Sequence, residues 1–104
     1  MILIHISCET SKQANAIVDF LIDEKLMLNA LVSDNLLHKQ LDCGKRSSQP
    51  HYLIMGTTKA LLFQKINQRV RAAYPENTPL IYAMPIVYMD DTQTTQLKTE
   101  TEKV

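Results

Sequence analysis

The apolar residues of this chain change period twice, in the same order each time. Ile2, Ile4, Ile6 and Cys8 alternate with Leu3, His5 and Ser7, the period of two that marks a strand with one face more apolar than the other. Behind Thr10 the spacing changes. Ala14, Ile17, Val18 and Leu21 recur at i, i+3, i+4 and i+7, which predicts an amphipathic helix over about 11–25. Thr10 and Gln13 stand at capping-box spacing at its start. A second apolar run, Leu26 to Leu37, follows with almost no connection and reads as a strand. Tyr52 to Met55 restarts an apolar strand that ends near Gly56. Leu62, Phe63, Ile66, Val70 and Ala73 then form the stripe of a helix over about 59–73, with Thr57 and Thr58 as its cap and Pro75 as its stop. Leu80 to Met89 is the closing strand, and Pro85 within it, lacking an N–H for the ladder, marks an edge or a bulge.

Strand–helix–strand, twice over, is the split βαβ or ferredoxin-like order: an α+β fold whose antiparallel sheet carries two helices on one face. Residues 38–50 hold the turn formers Asp42, Gly44, Ser47, Ser48 and Pro50 and read as a hairpin tip between the halves. The length of 104 residues predicts one domain. The polar tail over 90–104 has Leu97 and Val104 as its only aliphatics and is open to a short helix, a strand or fraying.

This architecture leaves one sheet face bare, and an antiparallel sheet with a wet face alternates cleanly. The strand from Leu80 does not: Ile81, Ala83, Pro85 and Val87 lie on one side and Leu80, Tyr82, Met84, Ile86 and Tyr88 on the other. A broad apolar patch of that kind predicts a partner or another subunit. Charge permits self-association, because eleven basic residues balance eleven acidic ones. The same balance argues against nucleic acid as a partner. No apolar stretch approaches the roughly 20 residues of a membrane span, and the N-terminal run, broken by His5 and Ser7, lacks the pattern of a secretory signal. Two cysteines are too few for a disulfide scaffold. The expectation is a cytoplasmic protein with no membrane contact.

Beyond this pattern the chain resembles the CutA, or divalent-cation tolerance, family. The resemblance is carried by Thr57-Thr58-Lys59-Ala60-Leu61, by Tyr74-Pro75-Glu76-Asn77-Thr78-Pro79-Leu80-Ile81-Tyr82-Ala83-Met84-Pro85-Ile86, by Glu24-Lys25-Leu26 and by Gly44-Lys45 at the hairpin. It implies a homotrimer in which open sheet faces pack together and long hairpins reach neighbouring subunits. It also implies a link to tolerance of copper and other divalent metals, with no catalytic reaction. Several polar positions of the family pattern are replaced: Asp42 and Gln40 stand where the hairpin aromatics belong, and Tyr74, Glu76, Asn77 and Leu80 replace the family's loop residues. The family's C-terminal helix is not recognisable over 90–104. The resemblance therefore implies a divergent member with a degenerate metal site.

Copper and zinc favour imidazole and thiolate donors. His38, Cys43 and His51 all lie in or beside the hairpin, where antiparallel pairing about Gly44 brings His38 toward His51. They are the candidate metal ligands, for copper or another divalent cation. The competing reading is three unrelated surface residues, since their spacing matches no established ligand motif. Lys45 and Arg46, with Tyr82 from the last strand, are a candidate ligand cleft for a small anion, the basis of an alternative role as a trimeric small-molecule or nucleotide-sensing regulator. Cys8 reads as a buried, inert thiol and His5 as a sheet-face residue with a hydrogen-bond partner. No nucleophile–base pair suggests an enzyme.

Overall fold

A computed structural model describes residues 1–104. Five strands and three helices follow in the order β1 (Ile2–Cys8), α1 (Ser11–Asp23), β2 (Asn29–Val32), β3 (Leu36–Asp42), β4 (Lys45–Thr58), α2 (Phe63–Ala73), β5 (Leu80–Pro85) and α3 (Asp91–Glu100). All strand pairings are antiparallel and the sheet order is β2-β4-β1-β5, with β3 on the far stretch of β4. The α+β, split βαβ architecture expected from the periodicity is the one observed.

The period-two residues of β1 do what their spacing predicts. Ile4, Ile6 and Cys8 are fully buried against Ala14, Ile17 and Leu21 of α1 and Ile66 and Val70 of α2. Ile54 of β4, Leu62, Leu26 and Met27 complete this core. Thr10 caps α1 by accepting from the Gln13 N–H at 3.0 Å, worth about 1 kcal/mol. The Gln13 amide then donates to the Asn77 carbonyl at 3.1 Å, which ties the start of α1 to the loop before β5. Arg69 of α2 lies 4.1 Å over the Phe20 ring and donates to both Glu24 oxygens at 3.0 and 2.9 Å, joining the two helices on their outer side.

The stretch between α1 and α2 departs from its sequence pattern. Lys25 takes a left-handed φ of 59° and Leu26 N–H donates to the Leu21 carbonyl at 2.9 Å, a Schellman ending without the usual glycine. Leu26 and Met27 therefore turn into the core rather than starting a strand. The run to Leu37 is not one strand. It breaks at Ser33–Asn35, where Ser33 N–H donates to the Leu53 carbonyl and Ser33 Oγ accepts from Leu53 N–H, both within 2.9 Å.

Nor is 38–50 a loop. The tip is Cys43-Gly44 alone, both at positive φ (51° and 78°), a two-residue turn of the kind whose twist suits a hairpin. The residues on either side form a regular ladder from Asp42↔Lys45 to Leu36↔His51. The turn formers Ser47, Ser48 and Pro50 sit within this two-stranded ribbon, Ser47 half-buried and the other two exposed, where their low strand propensity is tolerated.

The second helical region begins as a 3-10 turn, Ala60–Leu62, and neither threonine caps it. Thr58 instead donates its hydroxyl to the Leu26 carbonyl at 2.5 Å. The closing strand is shorter than its apolar run and ends at Pro85, on the sheet edge where a missing N–H is tolerated.

The tail forms α3. Asp90 caps it by accepting from Gln93 N–H at 3.2 Å, and Leu97 is fully buried. Lys59 Nζ donates to the carbonyls of Thr101 and Glu102 at 3.3 and 2.9 Å, while Glu102 N–H donates to the Lys25 carbonyl at 2.8 Å.

Two substitutions test this account. Lys25→Gly removes the side-chain penalty of left-handed backbone and is expected to stabilise the fold by about 1 kcal/mol in urea unfolding. Leu97→Ala removes the one buried anchor of α3 and is expected to cost about 2–3 kcal/mol, with hydrogen-exchange protection lost in α3 before β1.

Candidate functional site

The register of the sheet decides which side chains meet. Odd-numbered residues of β1 and β4 share the face without helices: Leu3 is opposite Thr57, His5 opposite Met55 and Ser7 opposite Leu53. On the other side of β1, His5 is opposite Tyr82 and Ser7 opposite Leu80. Continuing along β4 in the same phase, His51 lies on this face, next to His38 across the β3–β4 ladder.

His38 and His51 stack with ring centroids 4.0 Å apart and planes within 11° of parallel. The pairing expected about Gly44 is therefore present. His51 is buried, with Nδ1 2.6 Å from Ser7 Oγ and Nε2 3.0 Å from the Gln49 amide nitrogen. Both ring nitrogens of His51 are thus engaged, one by the Ser7 hydroxyl and one by the Gln49 amide. Desolvation, and secondarily the neighbouring His38, lower the His51 pKa from its usual value, against a smaller opposing pull from Glu9. His38 Nδ1 is buried without a hydrogen-bond partner.

The third candidate ligand does not join the pair. Cys43 is exposed at the hairpin tip, roughly 15 Å along the ribbon from His38 at strand rise. No group of three or more His, Cys, Asp or Glu side chains is placed to hold a metal ion. The lone pairs of an imidazole lie in its ring plane, so two parallel rings do not converge on one ion at the ~2 Å of a metal–nitrogen bond. Chelation by His38 and His51 requires one ring to turn.

The candidate anion cleft is likewise dispersed. Lys45 and Arg46 stand at the tip, Arg46 beside Lys39, Gln40 and Leu41. Tyr82 is on β5, where its hydroxyl shares a 3.3 Å hydrogen bond with His5 Nδ1. His5 therefore has the sheet-face partner its position suggests. Cys8 is buried, and burial pushes its thiol up to about 12, which leaves it without thiolate character.

A cleft that sequence reasoning did not single out opens beside the histidine pair, with a volume of about 350 Å³. Ser7, Glu9, Gln49, Arg71 and Thr78 contribute to its wall along with His38 and His51. These positions come from β1, both strands of the ribbon, α2 and the loop before β5. No local spacing announces them; the register of β4 against both β1 and β3 brings them together.

Apart from His5, Asn29 and Thr57, the rest of the bare face is largely apolar. Leu31, Leu80, Tyr82 and Met84 are all exposed on it. No helix is long and apolar enough to cross a membrane.

No protein-family profile matches the chain, and no curated protein sequence does. Solved structures do match over nearly its whole length. The divalent cation tolerance protein Cut A1 of Thermus thermophilus superposes with a TM-score of 0.92 at 23% identity, covering 98% of this chain and all of that one. CutA1 of Oryza sativa gives 0.93 at 18% identity over 99% of this chain and 94% of its own. The periplasmic divalent cation tolerance protein CutA of Archaeoglobus fulgidus gives 0.90 at 20% identity over 98% and 100%. Superposition this close extends to the third helix and the long hairpin, and with it the chain is seen to have the fold of the CutA proteins.

Proposed function

We propose that this chain is a divergent CutA-like protein of divalent-cation tolerance, acting by binding rather than catalysis, as a homotrimer with a degenerate metal site. The observation that carries the reading is the end-to-end match to proteins described by that role, at a TM-score of 0.92. Assembly is supported by the apolar open face, which needs a cover that the chain itself does not supply. The hairpin supports it too. Between Lys45 and His51, β4 pairs with β3 alone, and a lone two-stranded ribbon is marginal in water unless it rests on another surface. Leu36, Leu37 and Leu41 are exposed along that ribbon.

The metal part of the reading rests on the His38–His51 pair. With Cys43 remote, two imidazoles supply fewer donors than a closed zinc or copper site uses. The expected response to metal is weak and reversible. We place the protein in the cytoplasm as part of the same reading.

Light scattering at micromolar concentration is expected to give three times the subunit mass, and a stable monomer overturns the assembly. Calorimetric titration with Cu2+ and Zn2+ is expected to show weak binding that disappears in a variant with His38, Cys43 and His51 all replaced by alanine. Absence of binding, or equal binding by the variant, removes the metal role and leaves the assembly standing.

A further inference from the structure

The third helix is seated differently from the other two. Leu97 is fully buried, yet it stands outside the contiguous core that α1, α2 and the sheet share. Thr101 is the only other buried residue after β5. At the entrance to α3, Val87 and Tyr88 are 78% and 93% exposed, and neither they nor Met89 make a hydrogen bond. The last tie before this gap is the Ile86 N–H, which donates to the Met1 carbonyl at 3.0 Å. Few contacts therefore oppose a pivot at 87–89.

At the far end the seat is polar and comes from three segments. Half-buried Lys59 donates from Nζ to both the Thr101 and the Glu102 carbonyls. These lie at the end of α3 and just beyond it, where carbonyls have no partner within the helix and the dipole favours a cation. Lys65 of α2 pairs with the Glu102 carboxylate in solvent. The Glu102 N–H meets the carbonyl of Lys25, the left-handed residue that ends α1. The next carbonyl, that of Leu26, accepts from the Thr58 hydroxyl at 2.5 Å. Residues 25–26 and 58–59, already joined to each other, are thus bridged a second time by the segment after α3. The bridge uses no group of the bare sheet face.

From these features we propose that α3 with Thr101 and Glu102 is a strap that leaves its seat as one unit, pivoting at 87–89, and that Lys59 is its latch. The apolar hold is one leucine apart from the core, so the strap detaches without opening that core. A ten-residue helix does not persist alone in water. Detachment and melting are therefore one event, and the amides of α3 share a single opening. Among the polar holds the Lys59 contacts dominate. They are charge-assisted, half-buried and set two acceptors on one ammonium, whereas the exposed Lys65–Glu102 pair is screened and contributes little. Opening frees the Lys59 ammonium and the Lys25 carbonyl together. The strap thus acts on the left-handed turn that feeds Leu26 and Met27 into the core.

The test is native-state hydrogen exchange of the full chain, read amide by amide by NMR at constant pH. The expected result is one common protection factor for the hydrogen-bonded amides of α3, well below that of β1. Lys59→Met keeps the aliphatic stem and removes the donors. It is expected to lower the protection of α3 about tenfold, as loss of a charge-assisted hydrogen bond does, and to leave β1 unchanged. Lys59→Arg, which keeps the charge, is expected to retain most of the protection, and Lys65→Met to lower it only about twofold. Equal protection of α3 and β1 in the unaltered chain overturns the strap, whatever the variants do. Exchange of α3 that Lys59→Met leaves unchanged overturns the latch, as does a variant in which α3 and β1 lose protection together. Neither subunit mass nor metal enters this readout, so its failure is distinct from failure of the assembly or the metal role.

Discussion

One strand holds this molecule together. The fourteen residues of β4 pair with β1 and β2 over one stretch and with β3 over the other. The sheet and the hairpin are therefore one continuous surface. A slip of one residue in β4 sends every side chain to the opposite face. It would take Ile54 out of the core, separate His51 from Ser7 and break the histidine stack together. The core, the hairpin and the cleft share a single register, and that register is enforced by the apolar residues at the core end, not by the polar ones at the site.

This coupling explains what the hairpin can and cannot do alone. Its ladder is well formed, but past His51 there is no third strand and no helix over it. The hydrogen bonds of such a ribbon compete directly with water, and net each contributes only about 1 kcal/mol. The Ser7–His51 contact at 2.6 Å is the last polar tie between the ribbon and the body of the sheet. A polar pin suits that position. It lies where the helix-covered core has ended and a purely apolar contact would find too little surface to bury.

Much of the frame was legible in the residues. The alternation of Ile2, Ile4 and Ile6 and the helical spacing of Ala14, Ile17 and Leu21 report burial directly, since one buried face per element is all they encode. The Pro85 edge position was legible for a similar reason: a missing N–H has few places to go. What was hidden depended on partners distant in sequence. Lys25 ends α1 in a conformation normally signalled by glycine. Ser47, Ser48 and Pro50 look like turn formers until the partner strand fixes their ladder. Asp90 and Leu97 make α3 from a sequence with almost no apolar stripe, because one buried leucine and the carbonyl contacts of Lys59 are enough to seat it. At the site, the approach of His38 to His51 could be read from hairpin symmetry, whereas the contributions of Ser7, Glu9, Arg71 and Thr78 follow from the crossing of three separate segments.

The likeness to the CutA proteins bears differently on frame and chemistry. At 18–23% identity a TM-score above 0.9 survives because hydrophobic patterning and register tolerate exchange of one aliphatic residue for another. Binding chemistry has no such tolerance, since a guanidinium, an imidazole and a carboxylate are not interchangeable. The shared fold therefore accounts for the existence of a cleft between hairpin, sheet and α2, but not for what fills its wall. That depends on this chain's own side chains. Here the wall holds Glu9 and Arg71, whose formal charges offset one another, beside two stacked imidazoles that carry the site's donor atoms.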